Sequence, residues 1–423
     1  MLNETQRDEY VAINGITGIV GANTAVEYWL TNDDKNLCLR AGNDLSLAGR
    51  MGRGELDESA VRDFARYLAE FGNQGRPLLD EPVRTGPGHM AVTRAVESCG
   101  AQLRVVVDRY IADDDGRFGI DNGFPQRDEK VDLFAIREPV NIPWTLSHIG
   151  HVVDATTSIV TADQIREHVR GGVTQAIKTA PKKGEFDLLW VAGVTDERFD
   201  PEKHRTIAEG ACTLQCFGAV MAPLFKVPGL QLRKIEFSTI HGVTGDQRLV
   251  RGFRPGDMPR GLPGDEDFIR TQSGSAGDLS DLVRYLADRH RMFSEPTSEI
   301  DMRALLSRVQ LVNATRVPAK DSATLDFRVE LNGQFTLEDI KGAYRDFGRE
   351  HPEVLRVIED PVAIASSTIR GRRESGTIFL NTLTLEDGMV LRGTAGYAHE
   401  NNTPSATLRI SKEIAKRKRA ALR

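Results

Sequence analysis

Cysteines, long apolar runs and excess positive charge are all scarce in this sequence. Its 423 residues include four cysteines, too few and too scattered for a disulfide framework. No apolar run is long enough to cross a membrane, and MLNETQRDEY at the start is not followed by the apolar region of a secretory signal. We therefore expect a protein of the reducing cytoplasm, in which cysteines remain thiols.

The charge balance argues against one class of protein, and the length predicts the number of domains. A formal net charge of -6 argues against a general nucleic-acid binder, although the terminal KEIAKRKRAALR is locally basic. At roughly 100 to 200 residues per domain, the length predicts two or three domains, each with its own core.

A turn rich in glycine follows the first predicted strand. In YVAINGITGIVGANTAVEYWL an apolar run ends near Asn14, a helical pattern starts near Gly21, and the glycines are spaced G-x-x-G-x-x-G. Such a turn can bind the pyrophosphate of a dinucleotide through backbone N–H groups. A tight turn without a ligand is the alternative. The candidate cofactor residues are Asn14, Gly15, Ile16, Thr17, Gly18 and Ile19.

The second predicted strand, NLCLRAGNDL, ends at another candidate cofactor residue. Asp44 lies where an acidic side chain would meet the adenosine ribose. Arg50 and Arg53 follow closely and suit a ribose phosphate instead. The sequence therefore leaves the choice between NAD and NADP open.

The distribution of strands and helices predicts an α/β protein. Strand and helix alternate from HVVDATT to DLLWVAGV, which is typical of a parallel sheet. After the last two cysteines, long alternating strands and amphipathic helices indicate an α+β domain on a mixed or antiparallel sheet. We predict a Rossmann-type dinucleotide-binding domain over residues 1–211, a catalytic domain over 212–401, and a C-terminal helix over 402–423 returning to the first domain. Residues 54–128 are charged and helical in pattern, and we interpret them as an insert.

The segment EGACTLQCF contains the candidate nucleophile. Cys212 opens an apolar helix, where the helix dipole favours a thiolate, whereas Cys216 lies one turn further in and should be buried. Metal binding would need further cysteines or histidines nearby, and neither flank supplies them. Packing is the other alternative. His241, at the end of the strand STIHGVTGDQRL, is the candidate base.

Seven segments resemble motifs of the phosphorylating glyceraldehyde-3-phosphate dehydrogenases, and they occur along the chain in the same order as in that family. GACTLQC is similar to their S-C-T-T-N-C nucleophile motif, and HGVTGDQRLV to their H-x-x-T-x-D-Q segment. The other five segments are REPVNIPW, TAP, ATRVPAKDSATLDFRVEL, SSTIRGRRESGTIF and GTAGYAHENN. The resemblance covers nearly the whole chain except the insert.

This resemblance implies a function and further site residues. The implied reaction is oxidation of a phosphorylated aldehyde, by default glyceraldehyde 3-phosphate, with NAD or NADP. Cys212 would form a thiohemiacetal and then a thioester, which inorganic phosphate releases, and no metal is involved. The family's usual assembly is a homotetramer, which the insert could reduce to a dimer. The implied phosphate-binding residues are Thr213, Thr244, Arg260, Ser273, Gly274 and Arg316, and the further cofactor residues are Thr156, Thr179 and His399.

Departures from the family pattern keep other functions open. Ala211 replaces a serine, Gln215 an asparagine, and His399 the asparagine that holds the nicotinamide carboxamide. The glycine turn is one residue longer than the common one. The alternatives are an enzyme for erythrose 4-phosphate or another phosphorylated aldehyde, a relative of the aspartate-semialdehyde type, and a retired paralogue with a binding or regulatory role.

Overall fold

The structure is a computed structural model of the full chain, and two compact units make up its fold. Unit 1 comprises Met1–Leu188, Glu197–Ala208 and Thr407–Arg423, and unit 2 comprises Leu189–Asp196 and Glu209–Ala406. The structure describes residues 9–34, 36–51, 56–71, 78–79, 82–86, 89–112, 117–121, 127–181, 183–244, 259, 262–264, 266–271, 278–279, 282–283, 285 and 307–422.

Unit 1 is built on one large sheet with helices beside it. Its strands are β1 (Glu9–Asn14), β2 (Leu37–Asn43), β3 (Pro82–Gly86), β4 (His89–Cys99), β5 (Gln102–Ala112), β6 (Phe118–Ile120), β7 (Arg127–Phe134), β8 (Ile149–Asp154), β9 (Gln175–Lys178), β10 (Leu188–Leu189) and β11 (Thr206–Ala208). The helices described in its first part are α1 (Ile19–Leu30), α2 (Glu58–Phe71) and α3 (Ala162–Arg170).

The parallel part of this sheet has the order β7-β2-β1-β8-β9-β11. In chain order these strands are the third, second, first, fourth, fifth and sixth, the arrangement of doubly wound dinucleotide-binding sheets. The central strands are apolar because both faces of the sheet are covered, and Val11, Ile13 and Val153 are fully buried. The order reverses between β1 and β8, and ligands of such sheets bind at the carboxyl ends of the strands beside that reversal.

The predicted insert extends the same sheet. The helical pattern expected for residues 54–128 holds only for α2, and that expectation is otherwise wrong for the described residues. They form antiparallel strands in the order β7-β5-β4-β3, with β6 paired to β5. Along β5, Leu103, Val105 and Val107 are buried. Val106 is buried as well, so this apolar run suits a strand although Arg104 interrupts it.

Unit 2 carries a second sheet, made of β12 (Gln231–Gly242), β13 (Ile269–Thr271), β14 (Val309–Val317), β15 (Ala323–Asn332), β16 (Leu355–Ile358), β17 (Gly376–Phe379), β18 (Thr384–Glu386) and β19 (Val390–Tyr397). The order is β13-β14-β12-β15-β19-β17-β16, with β18 paired to β19. Strands β12 and β14 are parallel, whereas β15 runs antiparallel to both β12 and β19. Helices α4 (Cys212–Met221), α5 (Leu337–Glu350) and α6 (Ser366–Ile369) also belong to this unit.

The last helix, α7 (Asn402–Ala421), joins unit 1 from Thr407 onward. Its Ser411 hydroxyl lies 2.5 Å from the Tyr28 phenol and 2.8 Å from Nε2 of His151. Nζ of Lys418 donates to Oε1 of Glu9 over 2.6 Å. The predicted fold class is confirmed: a Rossmann-type unit, a second unit on a mixed sheet, and a C-terminal helix that returns to the first. Among the described helices, none combines the length and apolar character needed to cross a lipid bilayer.

Gly21 provides a test of the turn between β1 and α1. A methyl group on Gly21 would lie 2.1 Å from the carbonyl oxygen of Gly15. We expect Gly21→Ala to lower the free energy of unfolding by about 1–3 kcal/mol, because rigid backbone atoms occupy the space. Denaturant titration measures this change.

Gly342 is the matched control for that variant. It lies in α5, where an added methyl group meets nothing within 4 Å. Gly342→Ala should therefore raise stability by about 0.5–1 kcal/mol, through helix propensity alone. An unchanged unfolding midpoint for Gly21→Ala would contradict the close packing of this turn.

Candidate active site

The candidate nucleophile begins a buried helix of unit 2. Cys212 is the first residue of α4, and the preceding Ala211 is extended, with φ -90° and ψ 157°, and supplies no side-chain cap. Residues 213–221 are all buried, because the helix is apolar on every side. The Cys212 side chain is only partly buried, whereas Cys216 has no exposed surface. Only Cys212 therefore combines a helix N-terminus with access.

The candidate base comes from the end of β12. His241 lies between two strands, opposite Arg316 on β14 and Ala323 on β15. Its Nε2 atom is 3.5 Å from Sγ of Cys212, within reach of a hydrogen bond to sulfur. The structure thus brings together the two residues that the sequence singled out for chemistry, although 29 positions separate them.

Arg316 is the charged group beside this pair. Its Nη1 atom lies 2.6 Å from Nδ1 of His241 and 3.0 Å from the carbonyl oxygen of Gly242. The same carbonyl oxygen is 2.7 Å from Nδ1 of His241. The guanidinium therefore sits behind the imidazole, on the side away from the thiol.

Burial is the largest influence on the thiol. It raises the pKa of Cys212 above its ordinary value of 9.0, while the charge of Arg316 and hydrogen bonds from Thr213 act in the opposite direction. The effect of burial on the pKa of Cys212 thus outweighs the helix N-terminus, which was expected from the sequence to favour a thiolate. A nearby base is needed to remove the thiol proton near neutral pH.

Gln215 anchors the nucleophile helix to the preceding chain. Its Oε1 accepts the Ala192 N–H over 3.1 Å, and its Nε2 donates to the carbonyl oxygens of Trp190, over 3.0 Å, and Glu209, over 2.7 Å. The sequence showed only that glutamine replaces the family's asparagine. The longer side chain makes three hydrogen bonds, and its partners lie up to 25 residues away.

Two further contacts at α4 were missed in the sequence. Asn402 donates from Nδ2 to the carbonyl oxygen of Cys212 over 3.0 Å, and no sequence pattern signals this contact. The buried hydroxyl of Thr213 lies 2.7 Å from the phenol of Tyr397, which belongs to the segment GTAGYAHENN. Thr213 was predicted to bind phosphate, and here its hydroxyl faces Tyr397.

His399 packs against the candidate base. The rings of His241 and His399 have centroids 4.3 Å apart and an interplanar angle of 37°. Nε2 of His399 donates to the carbonyl oxygen of Val243 over 3.1 Å, because a carbonyl can only accept. Burial, followed by the charge of Arg316, lowers the pKa of His399 to about 4. The ring is therefore neutral near pH 7, and its buried Nδ1 atom has no hydrogen-bond partner among the described residues.

In unit 1, the carboxyl ends of the parallel strands carry a buried polar network. Asp154 closes β8 and accepts from Nζ of Lys178 and from Nδ2 of Asn14, over 2.9 Å and 2.8 Å. Oδ1 of Asp154 also accepts from the amide and the hydroxyl of Thr156. Burial alone would raise the pKa of Asp154, but Lys178, His168 and Asn14 together bring it below its ordinary value of 3.8.

The tautomer of His168 follows from its neighbours in this network. Nε1 of Trp144 donates to Nδ1 of His168 over 3.2 Å, so the ring proton lies on Nε2 and is donated to Oδ2 of Asp154, 3.1 Å away. Asn43, at the end of β2, donates to Oδ1 of Asn14 over 2.8 Å. The network was not predicted. Its signal in the sequence is the polar residue that closes each apolar strand.

The predicted cofactor residues of unit 1 meet at this edge of the sheet. Gly15, with φ +84°, packs against Thr156, and its N–H donates to the carbonyl oxygen of Asn43 over 2.7 Å. Thr17 shares a 2.9 Å hydrogen bond with Ser46, just beyond Asp44. The amide of Thr179 donates to the carbonyl oxygen of Asp154 over 3.2 Å. Ile16 is buried, whereas Gly18 and Ile19 at the start of α1 are exposed.

Several predicted site residues lie outside the part of the chain that the structure describes. Arg53, Arg260, Ser273 and Gly274 lie outside the described residues, and only the backbone of Arg50 is described. Thr244 follows the end of β12, two residues after Gly242.

Within the ranges that the structure describes, no group of three or more His, Cys, Asp or Glu side chains is arranged to hold a metal ion.

Known proteins with similar sequences are dehydrogenases. No family model matches the chain. It is 26% identical over 298 residues to "Glyceraldehyde-3-phosphate dehydrogenase 2" of Staphylococcus aureus, covering 70% of this chain and 79% of that protein. It is 28% identical over 268 residues to the protein of the same name from Streptomyces avermitilis, covering 63% and 70%. "Glyceraldehyde-3-phosphate dehydrogenase" of Streptomyces coelicolor is 26% identical over 274 residues, covering 64% and 73%.

The fold and these matches together identify the protein class. The strand order of unit 1 and the mixed sheet of unit 2 define an α/β protein with a Rossmann-type unit and a separate α+β unit. The matches support its assignment to the glyceraldehyde-3-phosphate dehydrogenase family as a divergent member.

The Lys178–Asp154 ion pair provides a test of the buried network. Both side chains have no exposed surface. We expect Lys178→Met to lower the free energy of unfolding by about 3–5 kcal/mol, because it removes the cationic partner of the buried Asp154 carboxylate. Because the folded state lowers the pKa of Asp154, the network stabilises the protein above pH 3.8 and loses this effect as the pH falls below that value.

The control is a lysine of unit 1 in an exposed ion pair. Lys203 contacts Asp200 over 2.9 Å, and its side chain is 78% exposed. Lys203→Met should leave the denaturation midpoint nearly unchanged, because water screens exposed pairs. Equal effects of the two substitutions would show that the buried pair has no special role.

Proposed function

We propose that this protein oxidises a phosphorylated aldehyde with NAD or NADP through a cysteine thioester, with glyceraldehyde 3-phosphate as the default substrate. The observation that carries the proposal is the 3.5 Å approach of Nε2 of His241 to Sγ of Cys212 at the start of α4. The names of the similar proteins support the choice of substrate.

The first step forms a bond between Cys212 and the substrate. His241 accepts the thiol proton, and Sγ attacks the aldehyde carbon. The aldehyde oxygen then takes that proton from His241 and becomes the hydroxyl of a thiohemiacetal, which returns His241 to its neutral form. Arg316 stabilises the thiolate through its charge, and it opposes the effect of burial on the pKa of Cys212. The base is needed because the neutral thiol is a poor nucleophile.

The second step oxidises the bound aldehyde. When bound, the nicotinamide ring supplies the acceptor for the hydride that leaves the former aldehyde carbon. His241 takes the hydroxyl proton as the C=O bond re-forms, which leaves a thioester on Cys212. An oxygen of inorganic phosphate then attacks the thioester carbonyl, and Cys212 departs as a thiolate. The products are an acyl phosphate and the reduced dinucleotide.

The residues of unit 1 fit a dinucleotide. The sheet has the appropriate strand order, and its switch point lies between β1 and β8. Helix α1 begins at this edge with no acidic residue in its first turn, so its free backbone N–H groups suit a pyrophosphate. Gly21 has no space for a side chain, and the φ of +84° at Gly15 disfavours one. The proposed residues for this ligand are Asn14, Gly15, Ile16, Thr17, Gly18, Ile19, Asp44, Thr156 and Thr179.

Arg316 is the proposed anchor for phosphate in unit 2. Arg316 is only partly buried, and its guanidinium offers a fork of N–H donors, which match phosphate oxygens. The other proposed phosphate-binding residues are Thr213, Thr244, Arg260, Ser273 and Gly274. Because Thr213 already shares its hydroxyl with Tyr397, we expect Arg316 to contribute most among the described members of this group.

Replacing Cys212 tests the chemistry. We expect Cys212→Ala to lower the rate of dinucleotide reduction with glyceraldehyde 3-phosphate and inorganic phosphate by about a thousandfold or more, because no thioester can form. Omitting phosphate should stop the wild-type protein after about one turnover, because the thioester is not released. Absorbance of the reduced nicotinamide measures both effects.

Two variants separate the proposed role from general effects of cysteine loss. Cys99 is exposed and lies in β4 of unit 1, and Cys216 is buried in α4. Cys99→Ala should retain full activity, and Cys216→Ala should retain the phosphate dependence. Unchanged activity in Cys212→Ala would refute the mechanism, and a complete lack of dinucleotide binding by the wild-type protein would favour the retired paralogue.

His399 is proposed to bind the cofactor through its Nδ1 atom, which can accept a hydrogen bond from a carboxamide. We expect His399→Ala to weaken dinucleotide binding by about tenfold and His399→Asn to restore much of it, because asparagine also offers an acceptor. Calorimetry with NAD and with NADP measures the effect.

The pH dependence of binding gives an independent check on His399. Because burial lowers the pKa of this ring to about 4, Nδ1 stays unprotonated at higher pH. Its contribution to dinucleotide affinity should be constant between about pH 5 and about pH 8 and should vanish only as the pH falls through the lowered pKa. A loss of this contribution between pH 7 and 6 would contradict the assignment.

A further inference from the structure

Two groups with opposite requirements meet at Nδ1 of His241. Nη1 of Arg316 lies 2.6 Å from this nitrogen, and the carbonyl oxygen of Gly242 lies 2.7 Å from it. An arginine N–H can only donate a hydrogen bond, and a carbonyl oxygen can only accept one. Nδ1 therefore satisfies Arg316 with a lone pair or Gly242 with a proton, but it cannot satisfy both.

The state of Nδ1 determines what the opposite ring nitrogen can do. A neutral imidazole carries one proton, so a lone pair on Nδ1 places the proton on Nε2. Nε2 then points an N–H at Sγ of Cys212, 3.5 Å away, and cannot take the thiol proton. When Nδ1 is protonated and donates to Gly242, Nε2 offers a lone pair and can act as the base.

The contact with Arg316 favours the inactive arrangement. A hydrogen bond from a charged donor is about twice as strong as one between neutral groups. Arg316 can use one hydrogen of Nη1 for Nδ1 and the other for the Gly242 carbonyl oxygen, 3.0 Å away. The guanidinium therefore satisfies that carbonyl as well, which removes the need for an N–H on Nδ1.

We propose that Arg316 is a positioning residue that sets the tautomer of His241, and that binding of a phosphate-type anion by Arg316 releases Nδ1 and makes Nε2 the base. The proposal rests on the proposed function, in which Arg316 binds phosphate. The ring loses a proton from Nε2 to water and gains one at Nδ1 from water, so its charge does not change. The base thus becomes competent only when the anion of a substrate is in place.

The packing around His241 holds its ring in place, so that only protons change position when the tautomer changes. The ring of His399 covers it at 4.3 Å, and Tyr397 approaches edge-on, with ring centroids 5.9 Å apart and an angle of 75°. His399 is itself held by its hydrogen bond to Val243. The imidazole of His241 therefore stays in position while its partner at Nδ1 changes.

The test reads the protonation of Nδ1 directly. The full-length protein, labelled with ¹⁵N-histidine, is studied by NMR at about pH 8, above the ordinary histidine pKa. Protonated and unprotonated imidazole nitrogens have well-separated ¹⁵N shifts, and the His241 signals are those lost in His241→Asn. The probe is sulfate, a tetrahedral dianion that cannot accept an acyl group, with chloride at equal ionic strength as the control.

We expect Nδ1 of His241 to be unprotonated in chloride and to move to the protonated position in saturating sulfate. In Arg316→Gln it should be protonated under both conditions. Arg328→Gln is the matched control, because Arg328 lies on β15 and pairs with Glu236 and Glu330, and it should behave as wild type. The comparison of sulfate with chloride in the wild-type protein does not depend on the folding of any variant.

Three results would overturn the inference: a protonated Nδ1 in chloride, an unprotonated Nδ1 with sulfate bound, or a failure of sulfate to bind at all. The activity assay separates this inference from the proposed function. Dinucleotide reduction with an unchanging tautomer would refute the switch alone. A sulfate-dependent tautomer in a protein without dehydrogenase activity would refute the function and leave the switch standing.

Discussion

The contact between Cys212 and His241 depends on how closely the end of β12 approaches the chain beside it. At Gly242 a side chain would lie 2.4 Å from the carbonyl oxygen of Ala319, and the Gly242 N–H donates to the carbonyl oxygen of Ser322 over 2.9 Å. This close packing fixes the backbone position of Gly242, and therefore the position of the neighbouring His241 at the end of β12. On the other side, Gln215 ties α4 to the preceding chain through three hydrogen bonds, which fix the helix that carries the sulfur.

Burial and charge in unit 2 determine whether this contact can transfer a proton. Burial disfavours the thiolate of Cys212, and Arg316 is the charge that opposes it. The same guanidinium contacts the back of the imidazole, where its hydrogen bond determines which ring nitrogen carries a proton. One side chain therefore influences the nucleophile, the base and the proposed phosphate. Unit 1 shows the contrasting case: Asp154 and Lys178 are both buried, and they form an ion pair with a hydrogen bond of 2.9 Å.

Local patterns were sufficient for some features of this protein and not for others. The glycine turn, the start of α4 and the strand that ends at His241 each have a signal within a few residues. The fold class followed from the distribution of strands and helices along the chain. The candidate pair needed family motifs as well, because nothing in EGACTLQCF reveals a histidine 29 positions away. Other features depend on partners that are distant in sequence: the antiparallel strands of the insert, the three hydrogen bonds of Gln215, and the conflict at Nδ1 of His241. Propensity and periodicity carry no information about such partners.

The most direct test of the covalent mechanism is mass spectrometry of the protein trapped before phosphate release. The protein is mixed with glyceraldehyde 3-phosphate and dinucleotide without inorganic phosphate, quenched in acid and digested. If the account is right, the peptide that contains Cys212 carries the mass of the acyl group, in an amount that matches the dinucleotide reduced in the first turnover. Reduction of the dinucleotide without any acyl group on Cys212 would contradict it.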